Sequence, residues 1–460
     1  MKFSKFQIKD CEKINGFLSS FNSDSCETSF LSFFVWQNFF GIKYAVKDGV
    51  LIVRYGKKKE DYMYLLPPFT KENFDVIKSA AEEEFPDIWA IEGESFEKFK
   101  EEYKDHYHFA YTPDNDDYVY TASDLAFLKG KKYHSKRNHI ANFSKNYNYE
   151  YESISSSNTK DVKKCALLWF EQNNYKSDEK LACEREGILK ILDNFDDLSV
   201  FGGLIRVKGK VVAFTIGSAL NERTADIHFE KALSEFQTGY TVINRDFAAR
   251  EISDFKFLNR EDDLGLPGLR KAKLSYHPVK KIKKYYCFKK TNSKFDEFID
   301  LYCSAFSWDK KYDPLLFEYF GDNIKSIKVN NFPVSMLFAI DCKLILNNEE
   351  YKAVYIYGAV TKSSERGKGY MRKLINETAQ NEDCFVFLKP ADEDLKEFYE
   401  TCGFKAADSA AAKSNAYIEI SDKHRELQKL CKKPEEKSEF MYFAKFQNEI
   451  KELYFEDTLE

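Results

Sequence analysis

The stretch Tyr355-Ile356-Tyr357-Gly358-Ala359-Val360-Thr361-Lys362-Ser363-Ser364-Glu365-Arg366-Gly367-Lys368-Gly369-Tyr370-Met371-Arg372-Lys373-Leu374-Ile375 decides how the last third of this chain folds. An apolar strand runs into a short polar loop, and an apolar-periodic helix starts directly after two glycines. Such a junction aims several backbone N–H groups and the positive end of a helix at one point. Glycine lets the backbone approach an anion closely, so a pyrophosphate fits there, with Arg366 and Lys368 adding cationic reach. The alternative is a strand-to-helix turn that binds nothing.

The residues that follow bear on that choice. After the helix comes the strand Phe385-Val386-Phe387-Leu388, then a segment in which Leu395, Phe398, Tyr399 and Cys402 recur at helical spacing. Gly403 stands where a left-handed C′ residue ends such a helix. Upstream, Val334 to Ile340, a turn at Asp341-Cys342-Lys343, and Leu344 to Leu346 read as a hairpin, with Ala353 to Val360 as the next strand. The same order occurs earlier. Phe201 to Val207, a Lys208-Gly209-Lys210 turn and Val211 to Leu220 precede the strand Ala225 to Phe229, a helix from Tyr240 to Glu251, and the strand Phe255 to Leu258. A partial copy begins with Lys43 to Lys47, Asp48-Gly49 and Val50 to Val53, where Asp-Gly is a strong hairpin signal. Recurrence of one supersecondary order predicts one fold used three times, with cuts near residues 150 and 291.

Composition bounds the rest. A chain of 460 residues exceeds one ordinary core. Its 70 Lys+Arg against 75 Asp+Glu exclude a globally basic nucleic-acid coat. The ten Cys form no CxxC pair, which fits reduced thiols in a cytosol. His106 and His108 share a strand face but have no third ligand nearby, so no metal centre is expected. No apolar run follows Met1-Lys2-Phe3-Ser4-Lys5, and Phe30 to Trp36 is too short to span a bilayer, so a cytoplasmic protein is expected.

Residues about 293 to 410 resemble the GNAT superfamily of N-acetyltransferases. The family's loop reads Gln/Arg-x-x-Gly-x-Gly/Ala, and its glycine positions fall on Gly367 and Gly369. The first position holds Ser364, so side-chain help must come from Arg366 or from the backbone alone. Phe398-Tyr399-Glu400-Thr401-Cys402-Gly403-Phe404 matches the family's Phe-Tyr-x-x-x-Gly-Phe element. The resemblance implies acetyl-CoA as acyl donor, held by Ala359, Val360, Arg366, Gly367, Lys368, Gly369, Tyr370 and Met371. It further implies Tyr399 as the general acid that protonates the leaving thiolate; the other reading of Tyr399 is a packed helix residue with a satisfied hydroxyl. Glu365 and Tyr357 stand near enough in sequence to be considered as base. The acceptor is an amine, on a small molecule or a peptide.

Fragments of the first 290 residues resemble a bacterial family of unknown function related to the C-terminal domain of phosphatidylglycerol lysyltransferase. They are Ser29 to Trp36, Leu65-Leu66-Pro67-Pro68, Asp117-Tyr118-Val119-Tyr120, Leu125 to Phe143 and Asn259 to Pro278. That family is built from two acetyltransferase-like folds in tandem. Its characterised relatives take an aminoacyl group from a charged tRNA. The basic residues Lys129, Lys131, Lys132, Lys136 and Arg137, and Arg270, Lys271, Lys273, Lys280, Lys281, Lys283 and Lys284, read either as tRNA-phosphate contacts or as solvated helix faces. Asp262 and Asp263 either position an amine or act as base, or else cap the following helix. Only Gly239 precedes the Tyr240 helix, so acyl-CoA binding is not expected there.

The expectation is therefore α/β (α+β), three acetyltransferase-like folds, each a mixed, mostly antiparallel sheet flanked by helices. Residues 1–150 and 151–290 form the tandem and 293–460 the N-acetyltransferase domain. The expected enzyme is an acetyl-CoA-dependent N-acyltransferase working through the last unit, without a metal. The rivals are aminoacyl transfer from charged tRNA by the tandem, or a tandem that only binds a partner.

Overall fold

The first hairpins form in the register their turns dictate. A computed structural model of the protein describes residues 1–66, 68–306, 308, 312–381, 384–391, 393–409, 416–421, 425, 427, 440–443 and 452–453. Lys43–Lys47 pairs antiparallel with Val50–Tyr55, Lys47 opposite Val50. Asp48 and Gly49 are both left-handed, as a two-residue type I′ turn requires. Lys208 and Gly209 do the same between Val200–Val207 and Lys210–Ala219.

The turn expected at Asp341-Cys342-Lys343 does not form. The strand runs unbroken over Phe332–Leu346, and Leu346 pairs with Glu349 across Asn347-Asn348. The reason is alternation: Cys342, Leu344 and Leu346 are buried while Asp341 and Lys343 face out. Asparagine tolerates the left-handed backbone, and Asn347 and Asn348 adopt φ 50° and 68°. Asn330-Asn331 turns the preceding hairpin with the same angles.

Three mixed sheets result, flanked by helices. In each, a hairpin leads through an antiparallel neighbour and a crossover helix to a parallel strand. Met63–Leu65, helix Lys71–Ala81 and Ile88–Glu92 make the first such crossover. Thr224–Ala232, helix Gly239–Arg250 and Phe257–Asn259 make the second. Glu349–Thr361, helix Tyr370–Asn381 and Phe385–Leu388 make the third. Phe440–Phe443 pairs with both Phe385–Leu388 and Lys405–Ser409, extending the last sheet.

The chain separates into two compact units: Met1–Tyr107 with Thr112–Lys289, and His108–Tyr111 with Lys290–Glu460. Within the first unit, strands cross the expected cut at 150 in both directions. Asp117–Thr121 pairs with Phe257–Asn259 in the second sheet, whereas Lys284–Lys289 pairs with Ile88–Glu92 in the first. One apolar core there joins Leu51, Val53 and Leu65 of the first sheet to Leu204, Phe214 and Ile216 of the second. The apolar run after Ser29 is a helix, Phe30–Phe40, that buries Phe30, Leu31, Phe33, Phe34 and Val35 in this core. Among the described residues, no helix is long and apolar enough to cross a membrane. Among the described residues nine cysteines are free thiols, and all but Cys183 are buried.

Candidate functional site

In the second unit the strand Glu349–Thr361 breaks register ahead of the glycine loop. Met336 faces Val360 and Phe338 faces Tyr357, so Gly358 and Ala359 together oppose Leu337. That is a β-bulge, which re-aims the backbone. Gly358 has φ +57°, and a Cβ there would sit 3.1 Å from Phe338 and 3.3 Å from Tyr302. Pairing with Phe385–Leu388 extends over Ala353 to Tyr355 only, and the bulged end continues beyond it.

The loop then delivers the chain to the helix Tyr370–Asn381. Gly367 and Gly369 are left-handed at φ +80° and +79°, and a Cβ on either would meet nothing within 4 Å. Among the described residues, the N–H groups of Gly367, Lys368 and Gly369 have no hydrogen-bond partner. Three consecutive free donors ahead of a helix start can receive an anion. Arg366 donates from Nε to the Thr361 carbonyl at 3.2 Å, and Lys368 Nζ lies 2.9 Å from Glu365 Oε2. That hydrogen bond holds Lys368 above its ordinary value. Residues 366 to 369 are exposed, Ala359, Tyr370 and Met371 half-buried, and Val360 buried.

Tyr399 lies on the helix Glu393–Glu400, in an apolar cluster with Leu388, Cys402 and Phe404. Gly403 closes that helix at φ +91°. Phe404 N–H donates to the Tyr399 carbonyl, and Gly403 N–H to that of Glu400, a Schellman ending.

In the first unit the matching strand, Thr224–Ala232, is bulged as well. Ile227 faces Gly217 and Phe229 faces Ile216, leaving His228 as the extra residue. Around it lies a buried charged cluster that sequence reading missed. Lys284 Nζ reaches Asp117 Oδ1 at 2.8 Å, both side chains fully buried. Burial alone would lower Lys284, but Asp117, Cys26 and Glu27 hold it well above the ordinary lysine value. Burial would raise Asp117, and Lys284 with the N–H of Cys26 keeps it low. Asp226 is pushed well above the carboxylate range by burial, then by Glu261 and Asp117. His228 Nε2 lies 2.8 Å from Ser218 Oγ and 3.4 Å from Ser29 Oγ. Both serines line a cavity of about 570 Å3, with Asn15, Thr28 and Asn221 among its polar walls.

Asp262 and Asp263 part ways. Asp263 accepts hydrogen bonds from Tyr118 at 2.6 Å and from Arg270; burial would raise it, and these bonds hold it at about 2. It also accepts from Gly265 N–H, while Leu266 is the residue at the helix cap. Asp262 is raised by burial to about 6, a value suited to taking up a proton.

Many of the basic residues serve the fold. Arg270 pairs with Asp114 and Asp263, Lys280 with Asp24, and Lys281 with Asp116. Lys273 is buried and donates to the Arg260 and Asp262 carbonyls. Lys136 stands 3.8 Å from the Tyr276 ring centre and is lowered to about 8 by burial, then by Arg260. Lys129, Lys131, Lys132, Arg137, Lys271 and Lys283, by contrast, are exposed. The missed signal was charge inside an apolar strand, Ala225-Asp226-Ile227-His228-Phe229.

Comparison with known proteins places both regions. Residues 19–288 match the family described as phosphatidylglycerol lysyltransferase, C-terminal, and residues 288–407 match the acetyltransferase (GNAT) domain. A conserved protein of unknown function from Bacteroides thetaiotaomicron is 31% identical, with TM-score 0.58, over 63% of this chain and 100% of its own. The C-terminal domain of a putative lysylphosphatidylglycerol synthetase from Agrobacterium fabrum is 13% identical, with TM-score 0.45, over 61% of this chain and 91% of its own. L-PGS from Bacillus licheniformis is 15% identical, with TM-score 0.44, over 63% and 95%. No curated protein matches the chain.

Proposed function

We propose, for a chain that belongs over residues 19–288 to the phosphatidylglycerol lysyltransferase C-terminal family, that its last unit transfers an acetyl group from acetyl-CoA to an amine. Transferase folds make acyl or aminoacyl transfer the class of chemistry. What carries the finer reading is the run of three unpartnered N–H groups at Gly367, Lys368 and Gly369. They suit a pyrophosphate, and Arg366, Tyr370 and Met371 would flank it. The amine attacks the thioester carbonyl, and backbone at the bulge, around Ala359 and Val360, supports the developing oxyanion. Tyr399 is the proposed general acid for the thiolate. The acceptor is a small-molecule or peptide amine, and the setting a cytosol. Titration calorimetry of the full chain with acetyl-CoA tests this, with Gly367→Val/Gly369→Val as control. Absence of heat at millimolar ligand, with folding confirmed by circular dichroism, rejects it.

A second reading is favoured by the tandem's cavity and its buried charges: aminoacyl transfer from a charged tRNA within residues 1–289. Asp262, raised to about 6, would accept the proton of the attacking amine. Filter binding of the full chain should then separate aminoacylated tRNA from random RNA of equal length. Equal affinity for the two rejects this reading and leaves the first untouched.

A further inference from the structure

Asp226 poses a problem of buried charge. Its side chain is fully buried, and neither carboxylate oxygen has a hydrogen-bond partner. A carboxylate removed from water and left unpaired is unstable as an anion. The two nearby ammonium groups are committed elsewhere: Lys284 to Asp117, and Lys273 to the carbonyls of Arg260 and Asp262. What faces Asp226 at close range is an imidazole and a second carboxylate.

The arrangement is held from several sides. Asp226 and His228 come from one strand, re-aimed by the bulge at His228. Glu261 follows the strand Phe257–Asn259 with a left-handed backbone, φ 57°. Its N–H donates to Asn259 Oδ1 at 2.7 Å, and its carbonyl accepts from Tyr118 N–H at 3.1 Å. A non-glycine residue in that conformation is kept there by its surroundings, and here they present its carboxylate to His228.

Distances decide what fills the space. His228 Nδ1 lies 3.5 Å from Asp226 Oδ2 and 3.3 Å from Glu261 Oε1. The donor atoms of all three residues lie within 4.8 Å of one another. For ligand bonds of about 2.1 Å, tetrahedral neighbours stand roughly 3.4 Å apart. With the imidazole protonated at Nε2, the Ser218 hydroxyl accepts its hydrogen bond, and Nδ1 then has a lone pair facing the carboxylates.

We infer that Asp226, His228 and Glu261 together bind one divalent transition-metal ion, zinc foremost. One imidazole and two carboxylates suit zinc, manganese or ferrous iron, and the set leaves a position for water. Asp226 and His228 are sealed, whereas the Glu261 side chain is 29% exposed, so the ion enters past Glu261. The ion ties the bulged strand to the loop after Asn259. Ser218, on the wall of the cavity, becomes the outer partner of a metal-bound histidine. The inference stands apart from acetyl-CoA binding, which concerns the other unit.

Elemental analysis and titration calorimetry of the full chain, stripped with chelator and reloaded with Zn2+, test it. One zinc per chain is expected, with a rise in Tm. Asp226→Asn and His228→Gln should each weaken binding by more than about a hundredfold, beyond the loss typical of an outer-shell partner. Ser218→Ala should weaken it less, within that outer-shell range. Cobalt loading of the wild type should give visible bands that His228→Gln abolishes. Equal zinc content in wild type and His228→Gln would overturn the inference. So would a wild type that binds none of Zn2+, Mn2+ and Fe2+, while Asp226→Asn keeps or raises Tm, because a proton then satisfies Asp226.

Discussion

The strands Thr224–Ala232 and Glu349–Thr361 occupy the same place in their sheets, yet they prepare opposite surroundings. Each pairs antiparallel with a long neighbour and parallel with a short strand beyond a crossover helix, and each carries a bulge. At the first bulge stands His228, among buried carboxylates and ammonium groups. The following helix begins at Gly239, which is buried, with Ala232, Ala213 and Phe143 within 3.7 Å of a would-be Cβ. At the second bulge stands Gly358, and the following helix begins behind two open glycines. The fold repeats the bulge, and the residues at each bulge set its surroundings. One sheet gathers side-chain charge in a buried interior, and the other presents backbone donors at the surface.

That contrast breaks most sharply at Lys284. Lys284→Met leaves Asp117 buried without its cation, and removing one partner of such a pair costs about 3–5 kcal/mol. A urea denaturation midpoint well below wild type is expected, with most of the loss restored by adding Asp117→Leu. No measurable change would mean that the pair is solvated. The counterpart in the other unit is Gly358→Val. A left-handed β-branched residue costs about 1–3 kcal/mol, and contact with Phe338 adds to it. Loss of acetyl-CoA binding beyond the drop in Tm, seen by calorimetry below the transition, would mark the bulge as part of the site. Gly369→Ala sharpens the point at smaller cost, about 1–2 kcal/mol, because nothing obstructs the new Cβ.

The two regions were unequally legible. Gly367, Gly369 and Phe398 to Phe404 lie close in sequence, and their meaning is local: left-handed turns, a helix start, a helix end. The buried cluster gathers Cys26, Asp117, Asp226, Glu261 and Lys284, each an ordinary surface charge or thiol when read alone. Only the strand exchange across residue 150 brings Asp117 to Lys284. The Asn-Asn turns escaped for a different reason. Asp341 and Lys343 suggest a turn by polarity, whereas the period-two burial of Cys342, Leu344 and Leu346 overrules it.

Acid separates the two neighbouring aspartates of the first unit. Asp263 is held at about 2, below its ordinary 3.8, so its carboxylate stabilises the fold above pH 3.8. That contribution fades as pH falls from 3.8 through 2. Arg270→Ala should remove about 1 kcal/mol at pH 7 and little once the pH falls below 2, since Arg270 is partly exposed and its pairing is screened. Asp262 runs the other way. Raised to about 6, it favours the fold when protonated, and that contribution is lost as pH rises through 6. Asp262→Asn should therefore flatten the pH dependence of Tm between pH 4 and 6. A slope unchanged from wild type would place the titration elsewhere.

The smallest effect expected lies in the exposed loop. Lys368 is drawn to Glu365 at 2.9 Å, so a phosphate at the proposed site would compete with a carboxylate for this side chain. Glu365→Gln frees Lys368 to follow a phosphate and removes a negative charge from the loop. Acetyl-CoA should then bind about threefold tighter at low salt, with the gain vanishing near 1 M salt, where charges are screened within about 3 Å. Lys368→Ala should bind about threefold weaker, with Tm unchanged. If neither variant moves the affinity while Gly369→Ala does, recognition rests on the backbone alone, as the Ser364 departure already suggests. The contrast with the buried cluster would then be complete: side chains at one bulge, main chain at the other.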